Sequence, residues 1–171
     1  MDALDELEQM HEEARTEFAK LGTSGATDRA GAWAKLHAAL KLHEQIEEKF
    51  VYDPVVEEIG DTDTRLDAFH AQHEQEAHDA NQLMDRIGEL DVNDSEWLAT
   101  VQQLRQALEQ HMAVEEDQFW PLIRETWGED KLQDAGAKVS AAKAAGEAGG
   151  AMAEVLGKAD QALKGGDSSD R

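Results

Sequence analysis

His43-Glu44-Gln45-Ile46-Glu47-Glu48-Lys49-Phe50, followed by Pro54, and His111-Met112-Ala113-Val114-Glu115-Glu116-Asp117-Gln118-Phe119, followed by Pro121, repeat one order of side chains. Each pairs a histidine with a glutamate four positions later, which on an α-helix sets both side chains over adjacent turns of one face. Each also lies within an apolar stripe spaced by threes and fours. Trp33, Leu36 and Leu40 lead into His43, and Val101, Leu104 and Leu108 lead into His111. That period is helical, so the duplicated stretch predicts two amphipathic helices interrupted by polar groups at matching places.

Two further segments complete the set. Leu4, Leu7, His11, Ala14, Phe18 and Leu21 form a first stripe that stops at Gly22-Thr23-Ser24-Gly25, and the helix of His43 begins near Asp28. Leu66, Phe69, His70, His73, Ala77, Ala80, Met84 and Ile87 form a third stripe, bounded by Asp61-Thr62-Asp63 and Asp91-Val92-Asn93-Asp94. Pro54 behind Asp53 suits the first turn of a short helix from Val55 to Ile59, where a missing donor costs nothing. Pro121 is expected to kink or end the fourth helix. These segments predict an all-α, up-down-up-down antiparallel four-helix bundle over residues 1–127. Residues 128–163, rich in Ala, Gly and Lys, predict a weakly helical extension resting on the bundle through Leu132, Val139, Met152, Val155, Leu156 and Leu163. Residues 164–171 are expected to be disordered.

Polar residues on a buried stripe need partners, and four helices place theirs around one axis. The interruptions are His11, His43 with Glu47, His70 with His73, and His111 with Glu115. Taking Val92 as the centre of a hairpin, His73 and His111 lie equally far from it, nineteen residues on either side, so they should face each other. His78, five residues beyond His73, is rotated about 140° off that face and reads as surface. His37 reads likewise as a flanking residue. Imidazole and carboxylate donors without sulfur fit non-haem iron, manganese or zinc, and two potentially bridging glutamates fit a pair of ions. The expectation is two iron ions joined by an oxo or hydroxo bridge. With five histidines, two bridging carboxylates and that bridge, one octahedral position stays open to a small ligand.

Composition removes other classes. The 171 residues carry 38 Asp plus Glu against 16 Lys plus Arg, a formal net charge of −22 and a pI near 4.5. Such a surface repels phosphate backbones and anionic lipid, which excludes nucleic acid and membrane as partners. The chain has no cysteine, hence no disulfide, thiolate metal site or thiol nucleophile. The start Met1-Asp2-Ala3-Leu4-Asp5-Glu6 has neither the basic residues nor the apolar run of a secretory signal, so a cytoplasmic location is expected.

The single histidine in Met10-His11-Glu12-Glu13-Ala14, the paired HxxxEE motifs at His43 and His111 and the Phe119-Trp120-Pro121 ending resemble the hemerythrin-like, HHE cation-binding domain over roughly residues 4–125. The resemblance implies a four-helix bundle around a non-haem di-iron centre, with His11, His43, Glu47, His111 and Glu115 as ligands. Helix three departs from the family pattern. Oxygen-carrying members have HxxxH there, whereas this chain has His70-Ala71-Gln72-His73 and then Ala77; helical phase selects His73, with His70 as an additional ligand and His78 as the alternative by alignment. Classical members also carry HxxxxD on helix four, and stripe position favours Glu115 over Glu116 for that role.

The leading functional expectation is a module that binds, stores or senses dioxygen or a related small ligand. One alternative is an enzyme that removes hydrogen peroxide in a catalase-like manner or acts as an oxidase; it needs a proton donor at the open position, which Tyr52 supplies if the end of helix two folds inward. Another is an iron homeostasis or sensing protein that folds on metal loading.

Overall fold

The computed structural model describes residues 1–23, 25–59 and 63–149. It is all-α, with no strand among the described residues. Helices α1 (Ala3–Thr23), α2 (Ala26–Glu47), α4 (Thr64–Glu89) and α5 (Ser95–Val114) form the antiparallel bundle. A π-helical turn, Glu48–Tyr52, joins α2 to the short α3 (Asp53–Ile59); a second, Glu115–Phe119, joins α5 to α6 (Trp120–Glu147), which packs along α1 and α2.

The breaks have local causes. Asp2 Oδ1 accepts from the amides of Leu4 (2.9 Å) and Asp5 (3.1 Å) and caps α1. Asp63 caps α4 by accepting from Arg65 N, and Asp91 closes the α4–α5 turn by accepting from Asn93 N at 2.8 Å. Each of these acceptors satisfies amides that a starting helix or tight turn leaves unpaired.

The structure corrects the expected role of Pro121. Pro121 sits in the first turn of α6, because α5 has already given way to the π-turn six residues before it. Trp120 N donates to Glu115 O, five residues back, and Asp53 N donates to Glu48 O in the same way. A π-turn inserts one residue into the helical ladder, which leaves room and no unmet bond for a proline that has no N–H. Pro54 and Pro121 both sit just after such a turn. The real change of direction comes at Gly128, whose φ of 70° belongs to the left-handed region that glycine enters freely.

Beyond Gly128, α6 is firmly packed: Leu132, Ala135, Val139 and Ala142 are buried in the core. Gly136 allows this, since a Cβ there would lie 2.7 Å from the carbonyl oxygen of Met1. The glycine that weakens helix propensity is the one that permits close packing against the N-terminus. Met152, Val155, Leu156, Leu163 and the segment 164–171 lie outside the described residues.

Apolar side chains divide into two clusters. One unites Phe18, Leu21, Trp33, Leu36, Met84, Ile87, Trp97 and Leu104 at the hairpin end of the bundle. The other gathers Leu4, Leu7, Ile46, Tyr52, Leu66, Phe119, Ile123 and Val139 around α6 and the π-turns. The buried polar residues His11, Glu47, His73 and Glu115 belong to neither cluster. They form a separate polar layer within the bundle.

Candidate metal centre

His11 comes from α1, His43 and Glu47 from α2, His73 from α4, His111 from α5 and Glu115 from the start of the second π-turn. Their donor atoms fall into two groups, His11/His43/Glu47/Glu115 and Glu47/His73/His111/Glu115, each within a span of 4.8 Å. The two carboxylates are common to both. His11 and His43 oppose their Nε2 atoms at 3.1 Å. His43 Nε2 lies 3.5 Å from Glu47 Oε2, as does His73 Nε2, and His111 Nε2 lies 3.0 Å from Glu115 Oε1. His11 Nε2 is 3.4 Å from Glu115 Oε2.

The outward nitrogens fix the tautomers of two rings. His11 Nδ1 donates to Glu116 Oε1 at 2.7 Å, and Glu116 is held in turn by Arg15 at 3.0 Å. His111 Nδ1 donates to Glu76 Oε2 at 2.7 Å. With Nδ1 protonated, the neutral His11 ring turns an Nε2 lone pair inward, and His111 does so once a cation displaces its second proton, the arrangement by which carboxylates orient metal-ligating histidines. Glu116 therefore serves His11 from outside, while Glu115 takes the inner position.

Burial and charge pull the imidazoles apart. Burial pushes His43 down to about 3 and His11 down to about 4, so both are neutral at physiological pH. Burial also opposes charge on His111, but Glu115 and Glu76 outweigh it and raise the ring to about 11. His73 is raised against its burial by Glu47 and Glu115. In the protein alone, a proton on His111 thus offsets the buried carboxylates, and the same carboxylates favour one on His73.

The donor set fits a metal. Glu47 Oε1 and Glu115 Oε2 are buried and lack a hydrogen-bond partner among the described residues. His11 and His43 share one hydrogen bond between their Nε2 atoms at 3.1 Å, which leaves His43 Nδ1 buried without a partner among the described residues. Unpaired buried carboxylate oxygens cost several kcal/mol, and a cation between these groups satisfies all of them.

Aromatic rings wall the layer. Trp120 stacks on His11 with centroids 5.0 Å apart, and Tyr52 stands edge-on to His73 at 4.6 Å. The fully buried Tyr52 donates its hydroxyl to Glu115 Oε1 at 2.5 Å. Burial first, then the Glu115 and Glu47 carboxylates, push this phenol well above its ordinary value of 10. The end of helix two does fold inward. A cavity of about 690 Å³ between α1, α2 and the end of α6, walled by Met10, Leu36, Leu40, Leu42 and Met112, reaches His11, His43 and His111.

Of the seven residues singled out in the sequence, six meet in this layer. His70 does not: its Nε2 lies 3.4 Å from Glu48 Oε1, in a separate group with Asp53. His78 is exposed and bonds Gln82, and His37 stacks on Trp33. Glu76, Glu116 and Arg15 were not singled out as partners of the histidines. Glu76 had a readable signal, since it follows His73 by three and shares its face.

An antiparallel bundle with a buried histidine–carboxylate layer across its middle belongs in class with the helical metal-binding proteins. The chain belongs to the hemerythrin HHE cation-binding domain family, whose model matches residues 2–123. It matches no curated protein and no solved structure. No helix among the described residues is long and apolar enough to cross a membrane.

Proposed function

We propose that the protein is a non-haem di-iron protein that binds dioxygen or a related small ligand at the layer of His11, His43, Glu47, His73, His111 and Glu115. The observation that carries this reading is the sharing of Glu47 and Glu115 between two groups, each completed by its own pair of imidazoles. Imidazole and carboxylate donors suit iron(II), and four imidazoles with two shared carboxylates would hold two ions and leave coordination positions for a small ligand. Bound there, the irons supply reversible electron exchange with a small ligand. Everything else is work for the chain. Glu116 and Glu76 hold protons on the outer nitrogens of His11 and His111, Trp120 and Phe119 keep bulk water out, and the apolar cavity gives a small uncharged molecule a way in.

Tyr52 favours a second reading, turnover of hydrogen peroxide or an oxidase-like reaction. Its Oη holds a proton within the layer, bonded to Glu115 and out of reach of solvent. Reversible binding is served by a layer without such a donor, whereas turnover needs one. Iron-loaded protein is to be followed in air, under vacuum and with added peroxide. A visible band that comes and goes with oxygen supports binding. Steady peroxide consumption that drops at least tenfold in Tyr52→Phe supports turnover. Iron-loaded protein indifferent to both ligands contradicts the proposal and leaves iron homeostasis.

A further inference from the structure

We propose that Glu48, Asp53 and His70 form an outer divalent-cation site that collects metal from the acidic surface and passes it to the inner layer. The proposal deepens the di-iron reading and rests on it for the destination of the ion. The three side chains come from the first π-turn, the first residue of α3 and the stripe of α4, and offer donor atoms within 4.8 Å of one another. One imidazole and two carboxylates, with coordination positions left to water, suit manganese(II), iron(II) or zinc. Fewer ligands and greater exposure than in the inner layer make the site the weaker of the two, so its ion exchanges.

A second observation links this trio to a ligand. His73 is 7 % exposed, and its Nδ1 is buried without a hydrogen-bond partner among the described residues. That nitrogen faces Glu48 Oε2 at 3.7 Å, while its Nε2 faces Glu47 and Glu115 in the inner layer. Glu48 therefore turns one oxygen to His70 and the other to an inner ligand. The row His70, Glu48, His73 leads from half-exposed surface to buried centre in three side chains. Beside it opens a groove of about 750 Å³ whose four carboxylates, Glu44, Glu48, Asp53 and Glu74, outnumber its two lysines, Lys41 (paired with Glu44) and Lys49, and which reaches His73. Its carboxylates, on a chain of net charge −22, concentrate cations at this mouth. The cavity walled by Leu36 and Leu40 is mainly apolar, and of the carboxylates on its wall Glu13 is paired with Lys143 and Glu17 with Lys35.

The test uses the full chain, stripped of metal and titrated anaerobically with manganese(II), free ion being read by electron paramagnetic resonance. The expected result is two tight equivalents and a third, weaker one. His70→Ala and Asp53→Asn should each abolish the third, keep the two tight ones and unchanged helicity, and slow iron(II) uptake at least fivefold. A wild-type chain without the third equivalent overturns the outer site, as does a third equivalent that survives both substitutions. Variants that load iron at the wild-type rate overturn its role in delivery. Failure of the di-iron reading looks different: the tight equivalents are missing, or persist in Glu47→Ala.

Discussion

Glu47 and Glu115 are 1 % and 3 % exposed, and each keeps one oxygen without a hydrogen-bond partner among the described residues. Because both belong to both donor groups, their loss should differ in kind from the loss of a histidine. Glu47→Ala is expected to remove both metal equivalents, whereas His43→Ala removes one and leaves His73 and His111 to hold the other. His78→Ala should change nothing. Metal content of the purified variants, read by mass spectrometry, checks all three; equal losses in Glu47→Ala and His43→Ala would argue against sharing. Removing an outer carboxylate is milder, and Glu76→Gln should weaken binding roughly 10–100-fold. At this scale the sequence was legible wherever stripe and motif agreed, as at His11, His43, Glu47, His111 and Glu115. His70 and His73 were not separable that way, since both lie on the stripe. Three residues apart they diverge by about 60°, and the position of the π-turn decides that His70 meets Glu48. Glu115 and Glu116 show the converse, since helical phase alone told the inner carboxylate from its outward neighbour.

The helices themselves were read from period and breaks, and the order of α1, α2, α4 and α5 follows the four stripes closely. The two π-turns were not legible, because a one-residue insertion leaves the three-and-four spacing almost intact. The prolines two residues beyond each turn mark where the ladder restarts, which only the backbone bonds reveal. The Ala/Gly composition after Trp127 read as weak helix for a similar reason. Propensity records the backbone cost of glycine, and packing decides whether close approach repays it. Gly136→Ala tests that point. Its Cβ would meet the backbone of Met1, Asp2 and Ala3 at under 3 Å, and such overpacking costs about 1–3 kcal/mol. Urea unfolding should show this loss with metal content unchanged, since Gly136 lies far along α6 from the donor layer; a variant as stable as wild type would mean that the N-terminus adjusts without cost.

On the scale of the whole molecule, the polar layer lies among apolar contacts and carries its own pH signature. In the metal-free chain His11 and His43 have folded values near 4 and 3 against an ordinary 6.5. Below about pH 6.5 the unfolded chain takes up protons that the folded chain refuses, so stability falls with acid by roughly 1 kcal/mol per pH unit for each ring. His111, raised to about 11, acts in the other window: its contribution is complete below 6.5 and is lost as pH rises towards 11. Metal-free protein should therefore be most stable near pH 6.5 in urea melts at pH 4.5, 6.5 and 9, with a shallower acid limb in His43→Gln. An acid limb unchanged by that substitution would show that His43 is not buried neutral.

The duplicated motif, the shared carboxylates and the unpaired oxygens converge on one claim, that the bundle holds two ions in one layer. Iron per chain tests it most directly, measured after anaerobic loading and removal of loosely bound metal by gel filtration. Two irons per chain are expected, falling to none in Glu47→Ala; one iron or none in the wild-type chain would overturn the two-ion layer.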